Sequence, residues 1–110
     1  MSYSFITEDI KKQLLHNHKN TNFATESISK EPVVVKYFNP MGAGDWWVYS
    51  MDERGYMFGI ADIFCPEYGD FHIDELKENG IERDMYYTGP DTFEAVMIQQ
   101  KKANFSDIWR

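Results

Sequence analysis

The stretch WWVYSMDERGYMFGIADIF, residues 46–64, decides the fold of this chain. Two runs that are rich in aromatic and branched residues, WWVYSM and YMFGIADIF, flank the four residues DERG. Such runs are typical of β-strands, and Gly55 at the end of the connection can take the positive φ that a tight turn requires. The stretch therefore predicts an antiparallel hairpin.

Three further runs have the composition of strands. PVVVKYF, residues 32–38, is continuous and β-branched, and Pro32 suits the beginning of a strand because proline has no N–H to donate to the ladder. GDFHI, residues 69–73, is predicted as the fourth strand, and RDMYYT, residues 83–88, as the fifth. Together with the hairpin they predict a twisted antiparallel sheet of four to five strands.

Helices are predicted before the sheet and within it. TEDIKKQLLHN, residues 7–17, begins with Thr7 as the N-cap and carries acids in its first turn, where the helix dipole favours them. DELKENG, residues 74–80, is predicted as a short helix before the last strand, with Asp74 as its N-cap.

A last helix is predicted near the end of the chain, in PDTFEAVMIQQKK, where Asp91 and Glu94 have the spacing of an N-cap and its N3 partner. The fold class is therefore α+β, with an N-terminal helix, a short helix before the last strand and a C-terminal helix. We expect one domain over residues 1–110, in which residues 91–110 form the C-terminal helix and tail.

The composition limits the cellular context. The apolar stretches are short and interrupted by charged residues, so we expect no membrane span, no leader peptide and a cytoplasmic protein. Cys65 is the single cysteine of the chain, which excludes an internal disulfide and a cysteine-based zinc cluster. We expect Cys65 to be a small buried apolar residue, and we expect no cofactor.

The acidic residues are concentrated in one part of the chain. The net charge is −7, and between residues 67 and 84 seven acids stand against two bases, which gives −5 in eighteen residues. The seven acids are Glu67, Asp70, Asp74, Glu75, Glu78, Glu82 and Asp84. Direct nucleic-acid binding is disfavoured, because it depends on cationic side chains that displace counterions from phosphates. The acidic segment is either a solvated face or a surface that attracts a basic host protein.

Aromatic residues are also in excess, with three Trp, seven Tyr and eight Phe. Alternation along a strand places Trp46 and Trp47 on opposite faces, so one of them is expected to point away from the core. Exposed Trp and Tyr are frequent in protein interfaces. The candidate partner-binding residues are therefore Trp46, Trp47, Glu67, Tyr68, Asp70, Asp74, Glu75, Glu78, Glu82 and Asp84. The alternative is that helices cover both faces of the sheet.

The glycines in MGAGDWW, residues 41–47, do not have the pattern of a phosphate-binding loop. Such a loop leads into a helix, whereas this one leads into a strand and contains Asp45, which would repel phosphate. We expect these glycines to have a geometric role, since they remove the Cβ clash in a tight connection.

Several blocks of the sequence, taken in order, resemble a family of small bacterial proteins that is catalogued as a domain of unknown function. The resemblance covers about residues 5–96 and implies a compact domain that is carried by plasmids, conjugative elements or phages. It implies no catalytic residues. The blocks are PVVVKYFNP, GDWWVYSMD, MFGIAD, EYGDFHIDEL and GIERDMYY.

We therefore expect a non-enzymatic, acidic protein-binding module of a mobile element. Its most specific version is an inhibitor of a host defence system that handles nucleic acid, such as a restriction or CRISPR effector. One alternative is a small hydrolase or nucleic-acid-processing enzyme that uses His72 with Glu82 or Asp84 as an acid–base set. Another is an accessory protein of element maintenance that forms a homodimer through its tryptophan face.

Overall fold

The fold is described from a computed structural model. The structure describes residues 4–21 and 28–108, with side chains up to residue 103. Its elements in chain order are α1 (Glu8–Asn20), β1 (Val35–Phe38), β2 (Asp45–Met51), β3 (Tyr56–Asp62), β4 (Pro66–His72), α2 (Ile73–Glu78), β5 (Glu82–Arg83) and α3 (Phe93–Ile108).

The described strands form one antiparallel sheet in the order β4-β3-β2-β1-β5. The predicted α+β class and the β2–β3 hairpin are confirmed, and Gly55 in the hairpin turn has a φ of 93°. Strands β4 and β5 lie at opposite edges of the sheet. Helix α2 connects them, and its Leu76 packs against the sheet.

The fifth strand is shorter than predicted. The Asp84 N–H still donates to the Lys36 carbonyl at 2.9 Å, but the Asp84 carboxylate then accepts a bond from the Tyr86 N–H at 3.0 Å. This local turn competes with the ladder and ends the strand. The prediction of a strand through residue 88 is therefore wrong.

Two hydrophobic clusters lie on the two faces of the sheet. The first core, on the face covered by α1 and α2, consists of Leu14, Val35, Tyr37, Trp46, Val48, Met51, Met57, Leu76 and Ile81. The second core, on the face covered by α3, consists of Ile28, Trp47, Tyr49, Ile60, Phe93 and Val96. We call these two surfaces of the sheet the first face and the second face. Helices therefore cover both of them.

Both adjacent tryptophans are buried, so the prediction that one points outward is wrong. Trp46 is 7% exposed in the first core and Trp47 is 4% exposed in the second core. A β-bulge between Val48 and Ser50 adds one residue to β2, and Met51 consequently lies on the first face with Trp46. The aromatic excess is absorbed because the sheet has two buried faces.

The observed N-cap residue is the predicted one at α1 and a different one at α2 and α3. The Thr7 Oγ1 accepts a bond from the Ile10 N–H at 3.2 Å, which confirms the predicted N-cap of α1. Helix α2 is capped by His72 instead of Asp74. At the start of α3 the Thr92 hydroxyl accepts a bond from the Ala95 N–H at 3.2 Å, so Thr92 has the role that was predicted for Asp91.

Within the described residues, no helix combines the length and the apolar character needed to cross a bilayer.

Candidate functional site

A groove of about 600 Å³ opens on the first face, between α2 and the β3–β4 turn. We call it the α2 groove. Its apolar lining is Trp46, Ala61, Phe71, Leu76 and Ile81, which come from β2, β3, β4, α2 and the segment before β5. The groove is thus assembled from elements that are far apart in the sequence, and its size suits two or three side chains of a ligand.

Carboxylates and exposed apolar residues surround this apolar lining. Glu67 from β4 and Glu75 from α2 line the groove and are exposed to solvent. The β3–β4 turn contributes Ile63, which is 49% exposed, and Phe64, which is 94% exposed. The result is a surface with an apolar centre and a negative rim.

A hollow on β4 extends the groove to the edge of the sheet. Glu67, Gly69 and Phe71 alternate on the first face, since Glu67 is opposite Ala61 and Phe71 is opposite Met57 of the first core. A Cβ atom built on Gly69 would meet no described atom within 4 Å. The space beside Gly69 is therefore open.

The loop glycine Gly44 places Trp46 at the groove. It has a φ of 133°, and a Cβ atom there would lie 2.7 Å from the Trp46 ring. Glycine is required for both reasons, the backbone conformation and the close approach of the indole. The geometric role predicted for the glycine loop is thus observed at Gly44.

The acidic candidates do not form one continuous surface. Strands β4 and β5 are four steps apart in the sheet, which corresponds to about 19 Å at 4.8 Å per step. Glu67 and Glu75 lie at the first face, whereas Asp70, which also borders the groove, is opposite Phe58 of the second face. Glu82 also points to the second face, because its neighbour Arg83 is opposite Tyr37 of the first core. The seven carboxylates are therefore split between Glu67, Asp74, Glu75 and Glu78, which lie at or beside the groove, and Asp70, Glu82 and Asp84, whose side chains point elsewhere.

One of the acidic candidates is paired with a cation. The Lys36 ammonium lies 3.8 Å from the Asp84 carboxylate and 3.2 Å from that of Asp45, and it also lies 5.5 Å from the centre of the Trp47 ring. The Lys36 side chain is only 18% exposed. Asp84 and Trp47 thus belong to a structural cluster on the second face, and we remove them from the set of partner-binding candidates.

The proposed acid–base set is not assembled. His72 ends β4, whereas Glu82 lies in β5 and Asp84 directly follows it, at the opposite edge of the sheet. The His72 Nδ1 accepts a bond from the Asp74 N–H at 3.1 Å, and its Nε2 donates to the Arg54 carbonyl at 2.7 Å. Both ring nitrogens are therefore used to cap α2 and to fix the β2–β3 turn.

Tyr68 and Cys65 differ from expectation in their exposure. Tyr68 is half-buried on the second face, stacked on Phe58 with ring centres 6.3 Å apart, and burial raises the pKa of its hydroxyl. Cys65 is exposed in the lining of the groove, so the prediction of a buried thiol is wrong. Its Sγ donates to the Glu67 carboxylate at 3.3 Å, and this bond is the main cause that raises the pKa of the thiol.

The comparison with protein families agrees with the resemblance found in the sequence. The family model described as "Protein of unknown function (DUF2958)" matches residues 5–104. This chain belongs to the DUF2958 family. No curated protein and no solved structure matches it.

For this DUF2958 protein, the structure retains part of the predicted site and adds to it. The lining of the α2 groove contains five of the predicted residues, and two more, Asp74 and Glu78, are exposed on α2 beside it. The five are Trp46, Glu67, Tyr68, Asp70 and Glu75, of which Tyr68 and Asp70 are opposite second-face residues of β3. Sequence reasoning missed Phe64, Gly69 and Phe71. The alternation of Glu67, Gly69 and Phe71 along β4 was a signal that could have identified two of these. In the part of the chain with described side chains, no three His, Cys, Asp or Glu residues are grouped to hold a metal ion.

Proposed function

We propose that this protein is a non-enzymatic protein-binding module, which holds a segment of a basic partner protein in the α2 groove. The observation that carries the proposal is the exposed apolar side chain of Phe64 beside an apolar groove whose rim bears Glu67 and Glu75. An apolar centre with a polar rim is the usual anatomy of a protein interface.

The apolar component supplies the binding energy in this proposal. Phe64 is 94% exposed, and Met41 in the β1–β2 loop, at the same end of the sheet, is 91% exposed. Large apolar side chains that project into water beside a groove mark interaction sites in soluble proteins. Covering a Phe side chain stabilises a complex by about 1.5–3 kcal/mol.

The charged component selects the partner. The chain carries a net charge of −7, and two carboxylates stand at the rim of the groove. Such a surface accelerates the association of cationic partners and disfavours anionic ones, including nucleic acid. Salt weakens this selection, because the Debye length falls from about 10 Å at 0.1 M to about 3 Å at 1 M.

The test is affinity capture from a bacterial lysate with four immobilised proteins. These are the wild type, Phe64→Ser, Glu75→Lys and the control Glu82→Lys, in which an exposed acid of the opposite edge is reversed. We expect the wild type and the control to capture the same protein, and both groove variants to lose it. Capture that both groove variants retain, or no capture by the wild type, would contradict the proposal. Circular dichroism checks that all four proteins are folded.

A narrower hypothesis makes this protein an inhibitor of a restriction or CRISPR effector. It predicts that the captured protein binds DNA and that duplex DNA competes with our protein for it. The dispersal of the carboxylates argues against imitation of a whole DNA duplex. Competition therefore has to arise from contact at the groove, and Glu75→Lys should abolish it while Glu82→Lys should not.

A further inference from the structure

Strand β4 has an outer edge that is open among the described residues. It is the terminal strand of the sheet, it is seven residues long, and its backbone groups pair with β3 on the inner side. Apart from this pairing with β3, the backbone of Pro66–His72 makes no hydrogen bond to the backbone of any other described segment. An edge of this length can accept a further strand from another chain.

The hollow at Gly69 lies where a side chain of such an added strand would be placed. Directly opposite residues of paired strands project on the same face. A residue paired with Gly69 would therefore project on the first face, over the space that the missing Gly69 side chain leaves open. Bulky side chains pack well beside a glycine on the neighbouring strand.

We infer that the partner segment binds as an added β-strand on the outer edge of β4, with a bulky apolar side chain opposite Gly69 and a cation opposite Glu67. This inference rests on the proposed function and specifies its binding mode. Backbone hydrogen bonds would provide affinity, and the α2 groove would provide the specificity.

The residues of β4 define the sequence of the added strand. On the first face, the positions opposite Glu67, Gly69 and Phe71 favour a cation, a bulky apolar residue and a second apolar residue. On the second face, the position opposite Asp70 favours another cation. The expected segment therefore alternates, with a Lys or Arg two residues away from a bulky apolar residue.

The residues of β4 also disfavour a second copy of this chain as the occupant. Self-pairing of two β4 edges over their full length would place Gly69 opposite Gly69 and Glu67 opposite Phe71. Neither copy would then supply a bulky side chain opposite Gly69 or a cation opposite Glu67. A cationic segment of a different protein is thus the better match.

The experiment begins with a display library of random twelve-residue peptides, selected on the wild-type protein. Enriched peptides are synthesised, and their Kd is measured for the wild type, Gly69→Val, Glu67→Lys and the control Glu82→Lys. We expect the alternating pattern described above. We also expect a loss of about tenfold or more in both β4 variants and no change in the control. A peptide in which Glu replaces the cation opposite residue 67 should regain affinity for Glu67→Lys.

Backbone N-methylation of one peptide decides the binding mode. In an added strand, alternate N–H groups point toward β4, so methylation should abolish binding at every second position and spare the positions between. Peptides that are sensitive to Gly69→Val but show no alternation, or show i, i+3 and i, i+4 spacing, would overturn the strand mode and leave the groove proposal standing. Peptides that are insensitive to Gly69→Val but lose affinity for Phe64→Ser would likewise overturn only the strand mode. A selection that yields no peptide, or only peptides insensitive to both variants, would overturn both.

Discussion

Replacing Gly59 with alanine should destabilise the protein severely, whereas the same change at its cross-strand neighbour Gly69 should have little effect. The two glycines are opposite each other in β3 and β4. A Cβ atom at Gly59 would lie 3.0 Å from both the Trp47 carbonyl carbon and the Val48 Cα, and closer still to the Trp47 carbonyl oxygen. The bulge in β2 brings this backbone over Gly59, and a side chain has no space there.

The loss of stability in Gly59→Ala follows from the separation that the added methyl group would impose on β2 and β3. Carbon atoms make favourable contacts at about 3.5 Å, so the strands must move apart by about 0.5 Å or more. The loss of two ladder hydrogen bonds costs about 2 kcal/mol, and overpacking adds about 1–2 kcal/mol. We expect a fall of about 3–4 kcal/mol in the free energy of unfolding, which lowers Tm by about 12 °C or more.

Thermal and urea unfolding, followed by circular dichroism, measure this effect. Gly69→Ala is the matched control, since the added methyl group meets no described atom within 4 Å, and its free energy of unfolding should equal that of wild type or exceed it by up to about 1 kcal/mol. A Gly59→Ala variant whose Tm falls by less than about 3 °C, or a Gly69→Ala variant that falls equally far, would refute the described approach of β2 to β3.

Three further predictions concern the turn, the loop and the thiol. The Asp52 carboxylate accepts hydrogen bonds from the Tyr56 and Arg54 N–H groups. The bond from Tyr56 is the main cause that lowers the pKa of Asp52 below 3.8. The stability that the ionised carboxylate provides is therefore present above pH 3.8 and is lost as the pH falls through the lowered pKa. The difference in Tm between wild type and Asp52→Ala should shrink accordingly in acid, and a constant difference would contradict this. Gly44→Ala should lower the free energy of unfolding by about 1–3 kcal/mol, because the φ of 133° disfavours alanine. It should also shift the Trp fluorescence, because the added Cβ atom displaces the Trp46 ring. An unchanged emission spectrum would contradict this prediction. Glu67→Gln should accelerate maleimide labelling of Cys65 near pH 8, since it replaces the Sγ–carboxylate hydrogen bond that is the main cause of the raised thiol pKa and also removes the Glu67 charge. An equal rate would show that the Sγ–carboxylate bond is not formed in solution.

The parts of the fold that depend on neighbouring residues could be predicted from the sequence. The hairpin follows from two strand-like runs around Gly55, and the start of α1 follows from Thr7. The early end of β5 could not be predicted, because the Asp84 side chain competes locally with a ladder that sequence alone does not locate. The placement of Trp46 and Trp47 on opposite faces was predicted, but the burial of both was missed, because it depends on helices that cover both faces of the sheet.

For the candidate site, the sequence predicted the acidic and aromatic residue types but not their arrangement in space. The acidic excess between residues 67 and 84 was evident, but its distribution depends on the strand order, which places β4 and β5 at opposite edges. The connection through α2 keeps Glu75 with Glu67 at the groove and carries Glu82 away from both. A run of charge in the sequence therefore became a local rim in the structure instead of a continuous negative field.

The contrast between Gly59 and Gly69 is the strongest argument that the groove is a binding site. A glycine inside a strand lowers stability by roughly 0.5–1 kcal/mol relative to alanine, so each position needs a physical reason. The reason at Gly59 is the backbone of Trp47, which occupies the space that a side chain at Gly59 would need. Gly69 has no such reason among the described atoms, and its hollow stays open at a sheet edge between Glu67 and Phe71. A side chain from a bound strand would supply the missing contact, so in the proposed binding mode the loss of stability at Gly69 serves binding.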